Sequence, residues 1–160
     1  MRAVVTRVRS ASVTIDGEKV GAIDRGFLIL LGVGPQDTEA QCRYLVDKIL
    51  GLRVFEDPEG KMNLDLSQVG GSVLVVSQFT LYGNCRKGRR PSFVEAANPE
   101  LGNTLYEKFL SLCAEAGYPP QHGRFGADMQ VESINDGPVT LILDTDQLME
   151  APRHPRKEQA

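Results

Sequence analysis

Two uninterrupted apolar runs constrain this chain more than any other feature: Phe27-Leu28-Ile29-Leu30-Leu31-Gly32-Val33 and Ser72-Val73-Leu74-Val75-Val76-Ser77-Gln78-Phe79. Each has the length of a strand and carries no charge, so the first reads as a central strand buried on both faces. The second is rich in β-branched residues and reads as a second buried strand, reaching Phe79.

The remaining elements arrange themselves around these two. The opening residues look like a β-meander, with one strand over residues 2–9 and a hairpin pairing residues 12–15 with residues 19–23. Asp16-Gly17 between those runs is a strong hairpin signal, because a type I′ turn needs positive φ at both central positions. Thr38 with Gln41 forms a capping-box pattern, and Cys42, Leu45, Val46, Ile49 and Leu50 follow at helical spacing. Leu52-Arg53-Val54-Phe55 reads as a short strand, Asp57-Pro58-Glu59-Gly60 as a turn, and residues 62–71 as irregular. Asn98-Pro99 opens a second helix whose apolar stripe runs through Leu101, Leu105, Phe109, Leu112, Cys113 and Ala116. Two last strands are expected at residues 127–134 and 139–143, joined by Asn135-Asp136-Gly137-Pro138; from Asp146 the chain turns polar and reads as a frayed tail. The fold class is therefore α/β: one domain over residues 1–145, with a mixed, largely antiparallel sheet and two main helices, followed by a polar tail at 146–160.

Composition excludes several classes. A chain of 160 residues suffices for one domain with a proper core. No apolar run approaches the roughly 20 residues of a membrane helix, and the first residues lack a signal peptide's apolar stretch, so a cytoplasmic protein with no membrane association is expected. Cys42, Cys85 and Cys113 are odd in number and widely spaced, which suggests neither a disulfide framework nor a metal site; Cys42 and Cys113 fall on helix faces as core filler. His122 lies in an expected loop with no obvious partner and His154 in the tail. A net charge of −3 argues against a protein that coats nucleic acid. Yet Cys85-Arg86-Lys87-Gly88-Arg89-Arg90 puts Arg86, Lys87, Arg89 and Arg90 within five residues, either as a solvated loop or as a local phosphate contact.

Two short stretches stand where the core gives out: Ser77-Gln78-Phe79-Thr80-Leu81 and Asn135-Asp136-Gly137-Pro138-Val139-Thr140. In the first, Ser77 and Thr80 are open to reading as groups that merely satisfy the backbone, with Phe79 in the core. Alternatively, Thr80 acts as nucleophile or water holder, and free N–H groups form an oxyanion hole. A threonine nucleophile needs a base, and nothing near in sequence offers one. Gly137-Pro138 reads either as a rigid turn between antiparallel strands or, if cis, as a stiff wall free of side chains.

Together with Arg86-Lys87-Gly88-Arg89-Arg90-Pro91-Ser92-Phe93, these stretches resemble the D-aminoacyl-tRNA deacylase (D-tyrosyl-tRNA deacylase) family. The likeness takes in Arg7-Val8, Ala11-Ser12-Val13, Gly32, Gly60-Lys61-Met62-Asn63-Leu64 and Gly123-Arg124-Phe125-Gly126-Ala127-Asp128-Met129-Gln130-Val131, in order, over roughly residues 1–145. The resemblance implies a cofactor-free homodimer that hydrolyses the ester between a D-amino acid, or glycine, and the 3′-terminal adenosine of tRNA, a proofreading step in translation. It implies that Ser77, Gln78, Phe79 and Thr80 line the reaction site, with Thr80 catalytic, either as the nucleophile or, as favoured on physical grounds, by positioning water. It further implies that Gly137 and Pro138, as a cis pair, enter the partner subunit's site as a gate against L-amino acids. Under it Arg86, Lys87, Arg89 and Arg90 contact the acceptor stem, Phe125 and Met129 pack beneath the wall or in the core, and Arg7 braces the gate loop or sits on the surface. Two other readings remain beside it: a non-catalytic tRNA-binding proofreading module, and a Thr- or Ser-dependent small-ester hydrolase served by His122.

Overall fold

The two apolar runs lie side by side. In the computed structural model, which describes residues 1–150, Gly26–Gly32 (β3) and Ser72–Ser77 (β6) pair in parallel, Phe27 opposite Val73 and Leu31 opposite Ser77. Both strands are buried on both faces: Phe27, Ile29, Leu31, Val73 and Val75 enter one core cluster, and Leu28, Leu74 and Val76 another. Parallel neighbours need a crossover. Here it holds Glu39–Leu50 (α1) and a small hairpin of Phe55–Glu56 (β4) and Met62–Leu64 (β5). The expected strand over 52–55 shrinks to Phe55–Glu56, and 62–71 contains the short strand β5.

Arg2–Ile15 (β1) is one strand, not the two expected. Its first half pairs with β3 (Arg2 opposite Gly32, Val8 opposite Gly26). Its second half pairs with Glu18–Ile23 (β2) across the Asp16-Gly17 turn, where both φ angles are positive as expected. Between Arg9 and Ser12 no glycine or proline breaks the backbone, so the strand passes from one partner to the other.

The expected pair of final strands is likewise one element, Gln130–Asp144 (β8), antiparallel to β1 along nearly its whole length. Thr6 faces Thr140 and Val8 faces Asn135. Between those pairs β1 has only Arg7, whereas β8 has Asp136, Gly137, Pro138 and Val139. The chain does not reverse at Gly137-Pro138. It bulges sideways and resumes.

Pro99–Glu115 (α2) packs with α1 over one face of the sheet, its Leu105, Phe109, Leu112 and Cys113 buried; Asn98 caps it by accepting from the N–H of Leu101 at 2.9 Å. The capping box of α1 forms as expected. Gln121–His122 (β7) adds to β6 in parallel, so His122 lies in a strand opposite Val75, not in a loop. The Ala22 N–H on β2 reaches the side chain of Gln121 at 3.4 Å, drawing the sheet nearly closed. The chain does not fray at Asp146: Thr145–Leu148 (α3) is a short helix capped by Asp144. Buried Thr145 and Asp37 both accept from the ammonium of Met1 at 2.8 Å. Among the described residues no helix is long and apolar enough to cross a membrane. Residues 151–160, and His154 with them, lie outside the described residues.

Candidate active site

β6 stops at Ser77, two residues short of its expected end. The Gln78 N–H makes one last bond to the Leu31 carbonyl at 2.7 Å. Gln78 then turns the backbone (φ −144°, ψ 76°) into a 3₁₀ helix, Phe79–Tyr82. Gly32 allows the close approach, since a Cβ there would lie 3.0 Å from the Gln78 carbonyl. The first bond of the turn runs from the Leu81 N–H to the Gln78 carbonyl at 3.2 Å. In 3₁₀ geometry the N–H groups of Phe79 and Thr80 precede it and have no partner inside the turn. The Gln78 side-chain amide donates to the Thr80 hydroxyl. Arg2 supports the turn from below: its Nη1 donates to the Leu81 carbonyl at 3.0 Å, its guanidinium lies 4.4 Å from the centre of the Tyr82 ring, and its Nε pairs with Asp144 at 3.1 Å.

Phe79 is not core. Its relative exposure is 57%, and it forms one wall of a cleft of about 360 Å³ lined by Ser77, Phe79, Phe93, Ala97, Pro99 and Phe125, among others. Phe79 and Phe93 meet edge to face at 5.3 Å, an arrangement suited to their ring quadrupoles. Phe125 leans on buried Tyr106 with centroids 6.0 Å apart, and Gly102 leaves it room. Phe125 therefore belongs to the cleft, while Met129 packs on Gly123 and the cluster inside the curled sheet; neither is on β8. Phe93, Ala97 and Pro99 were not read from the sequence as cleft residues, though an aromatic residue right after a basic, glycine-containing loop was the available signal.

The basic loop hangs beside this cleft. Asn84 and Ser92 exchange backbone hydrogen bonds of 2.7 and 2.9 Å, closing a loop that leads directly from the 3₁₀ turn to Phe93. Arg86, Lys87, Arg89 and Arg90 are all exposed. Among the described residues none of the four is in an ion pair.

The bulge of β8 is held from its base. The Asn135 side chain accepts from the Val139 N–H and donates to the Thr140 hydroxyl, each at 2.9 Å. Arg7, buried at 6% exposure, donates from Nε to the Asp136 carbonyl at 2.8 Å and from Nη1 to the Val54 carbonyl at 2.6 Å. It is a brace, not a surface arginine. The Gly137–Pro138 peptide is cis, and Gly137 has φ +141°. A Cβ there would meet Val139 at 2.8 Å and Arg7 Nη2 at 3.0 Å.

Within one chain the bulge and the 3₁₀ turn stand apart. Arg7 pairs with Phe27, while Ser77 pairs with Leu31, four residues further along β3. That separation is roughly 13 Å at 3.3 Å per residue. No residue of the bulge lines the aromatic cleft, and none of Ser77, Gln78, Phe79 or Thr80 lines the polar cleft beside Arg7 and Asp136.

The other reactive groups lie elsewhere. His122 sits opposite Val75, with Nδ1 2.6 Å from the carbonyl of Gly123. Burial pushes the thiols of Cys42 and Cys113 up to about 12, so at neutral pH they are protonated core residues, as expected. Among the described residues no group of three or more His, Cys, Asp or Glu side chains is placed to hold a metal ion.

The fold, with a 3₁₀ turn at the end of β6 and a bulge within β8, is that of a known family. The family model described as D-Tyr-tRNA(Tyr) deacylase matches residues 4–144, and the chain belongs to that family. It is 59% identical over 145 residues to a D-aminoacyl-tRNA deacylase of Desulfatibacillum aliphaticivorans, covering 91% of this chain and 99% of the relative. It is 55% identical over 148 residues to a D-aminoacyl-tRNA deacylase of Thermotoga petrophila, covering 92% and 99%. Among solved structures, one described as c-Myc DNA Unwinding Element Binding Protein superposes with a TM-score of 0.85 at 44% identity, over 90% of this chain and 98% of the other. A probable eukaryotic D-amino acid tRNA deacylase, at 19% identity and a TM-score of 0.76, shares the fold.

Proposed function

We propose that this chain is a D-aminoacyl-tRNA deacylase, hydrolysing the ester between a D-amino acid and the 3′-terminal adenosine of tRNA. The observation that carries the reading, beyond family membership, is an aromatic cleft of about 360 Å³ ending on a turn with two N–H groups unused inside it. A purine between Phe79, Phe93 and Phe125 would bring its ribose ester over Ser77, Gln78 and Thr80. The N–H groups of Phe79 and Thr80 would then meet the oxyanion of the tetrahedral intermediate, a role worth about 3 kcal/mol per donor.

Thr80 positions water in this reading. Its hydroxyl accepts from the Gln78 amide, and no hydrogen bond from Thr80 to a base forms among the described residues, which is the opposite of how a threonine nucleophile is activated. An aminoacyl ester is already reactive, and the neighbouring ribose hydroxyl assists, so positioning and backbone polarity suffice.

Gly137 and Pro138 form the chiral gate, and the gate works in the partner subunit of a homodimer. The support is geometric: in one chain the gate and the floor at Ser77 to Thr80 stand roughly 13 Å apart along the strands, yet stereochemical discrimination needs both at one ester. β8 also leaves its outer edge unpaired among the described residues and exposes Ile134 and Ile142, at 57% and 79%. Carbonyls of the gate would hold the α-ammonium and collide with an L side chain, rejecting by clash instead of by recognising the D side chain. Glycine would pass, as would varied D side chains. The cations of Arg86, Lys87, Arg89 and Arg90 contact acceptor-stem phosphates, so neutralising them weakens binding to all tRNAs and flattens its salt dependence. The site of action is translational proofreading in the cytoplasm.

A second reading, a non-catalytic nucleic-acid-binding module, takes support from the name of the 44%-identical structure. One assay separates the two: D- and L-aminoacyl-tRNA are incubated with wild type, Thr80→Ala and His122→Ala. D-selective release by wild type and by His122→Ala is expected. Binding without release would establish the module, and loss of release in His122→Ala would establish a histidine-served hydrolase.

A further inference from the structure

Beside the gate lies a second cleft, of about 230 Å³, lined by Arg7, Arg9, Arg25, Glu56 and Asp136. Strand alternation puts Arg7 and Arg9 on one face of β1, and Arg25 precedes Gly26, the residue paired with Val8. Three guanidinium groups thus converge on one small polar space. Arg7 is committed, with Nε on the Asp136 carbonyl, Nη1 on the Val54 carbonyl, and the Asp136 carboxylate 3.9 Å away.

Arg9 and Arg25 are not. Both are exposed, and among the described residues neither has an ion-pair partner within 4.0 Å, although Glu56 lines the same cleft. The Arg25 guanidinium lies 5.1 Å from the centre of the Phe55 ring, which orients it without using its N–H donors. Two arginine forks around one cavity, one set by an aromatic face, are the arrangement that clasps a phosphate.

We propose that this cleft is a phosphate subsite in which Arg9 and Arg25 take a backbone phosphodiester of the substrate's single-stranded 3′ end. The proposal rests on the deacylase reading, in which the gate enters the partner's site and meets the ester. The 5′-phosphate of the terminal adenosine is separated from that ester by a single ribose, and the preceding phosphate by one ribose more. Anything that brings the ester to the gate therefore brings phosphates to the gate's flank. The subsite would register the acceptor end against the gate, separately from the basic loop beside the floor.

The test compares two substrates that share the ester and differ in phosphate: D-aminoacyl-tRNA and D-aminoacyl-adenosine. In the double variant Arg9→Gln/Arg25→Gln, KM for D-aminoacyl-tRNA is expected to rise about tenfold. The logarithmic salt slope of tRNA binding, measured by fluorescence titration, should fall by about 0.7, the share of one single-strand phosphate. Hydrolysis of D-aminoacyl-adenosine should stay within about twofold of wild type, since that substrate has no phosphate to lose. Arg9→Lys/Arg25→Lys, which keeps the charges, should restore the salt slope. Equal losses on both substrates would overturn the proposal and make the cleft a support for the gate. An unchanged salt slope would overturn it as well. If wild type hydrolysed neither substrate while the slope still fell in the double variant, the subsite would stand and the deacylase reading would fall.

Discussion

Arg7 Nε donates to the carbonyl of Asp136 at 2.8 Å, tying the middle of β1 to the bulge that carries Gly137 and Pro138. The same side chain, buried, also holds the Val54 carbonyl. Arg7→Ala strips two half-buried acceptors of a charged donor and is expected to cost about 3 kcal/mol of stability by chemical denaturation. Arg7→Lys keeps a charge but cannot fork to both carbonyls. It should lose less stability and still lower the ratio of D to L deacylation, because the gate is no longer fixed. A D/L ratio equal to wild type in Arg7→Lys would detach Arg7 from the gate.

Thr80→Ala should retain most activity, with kcat down by about tenfold, or roughly 1.4 kcal/mol. The backbone donors at Phe79 and Thr80 remain in that variant, and only the hydroxyl proposed to hold water is lost. Steady-state and burst kinetics decide the point. A loss of several orders of magnitude, or an accumulating acyl-enzyme in wild type, would make Thr80 the nucleophile after all.

Ile142 stands 79% exposed on a strand whose outer edge is unpaired among the described residues. Long apolar edges are normally covered. Ile142→Asp is expected to yield a folded monomer by sedimentation, with little change in melting temperature and with D-selective deacylation lost. A monomer that remained active and selective would refute a gate supplied by the partner.

Cys42 and Cys113 ionise only near pH 12 in the fold, chiefly because they are buried, against 9.0 ordinarily. Above pH 9 the unfolded chain sheds protons that the folded chain keeps. Stability is therefore full below that pH and falls as pH rises toward 12, by about 1.4 kcal/mol per unit for each thiol. Denaturation across pH 8–10, below the range where buried Tyr82 and Tyr106 add the same effect, should show the decline, and Cys42→Ala/Cys113→Ala should flatten it there. At pH 8 an alkylating reagent should label exposed Cys85 alone in the native protein.

Much of this architecture was legible in the residues. Uncharged apolar runs pointed to β3 and β6, Asp16-Gly17 to a hairpin, and Thr38 and Asn98 to two helix starts, because those signals are local. What escaped was set by partners distant in sequence. β1 stays one strand because β8 pairs along nearly all of it, and Gly137-Pro138 interrupts β8 without reversing it because Arg7 and Asn135 fasten the bulge to continuing strands. An uninterrupted apolar run does not show where its strand stops, so the residues alone left Phe79 open between core and site. Gln78 spends its N–H on Leu31 and bends the chain, turning Phe79 out into a cleft completed by Phe93 and Phe125 from two other segments. Arg9 and Arg25 drew no notice, since their convergence depends on the pairing of β1 with β3.

Release of amino acid from matched D- and L-aminoacyl-tRNA by the purified wild-type protein tests the central claim most directly. Rapid release is expected from several D-aminoacyl-tRNAs and from glycyl-tRNA, with L-aminoacyl-tRNA left intact at the same enzyme concentration. Release of both enantiomers at similar rates, or of neither, would contradict it.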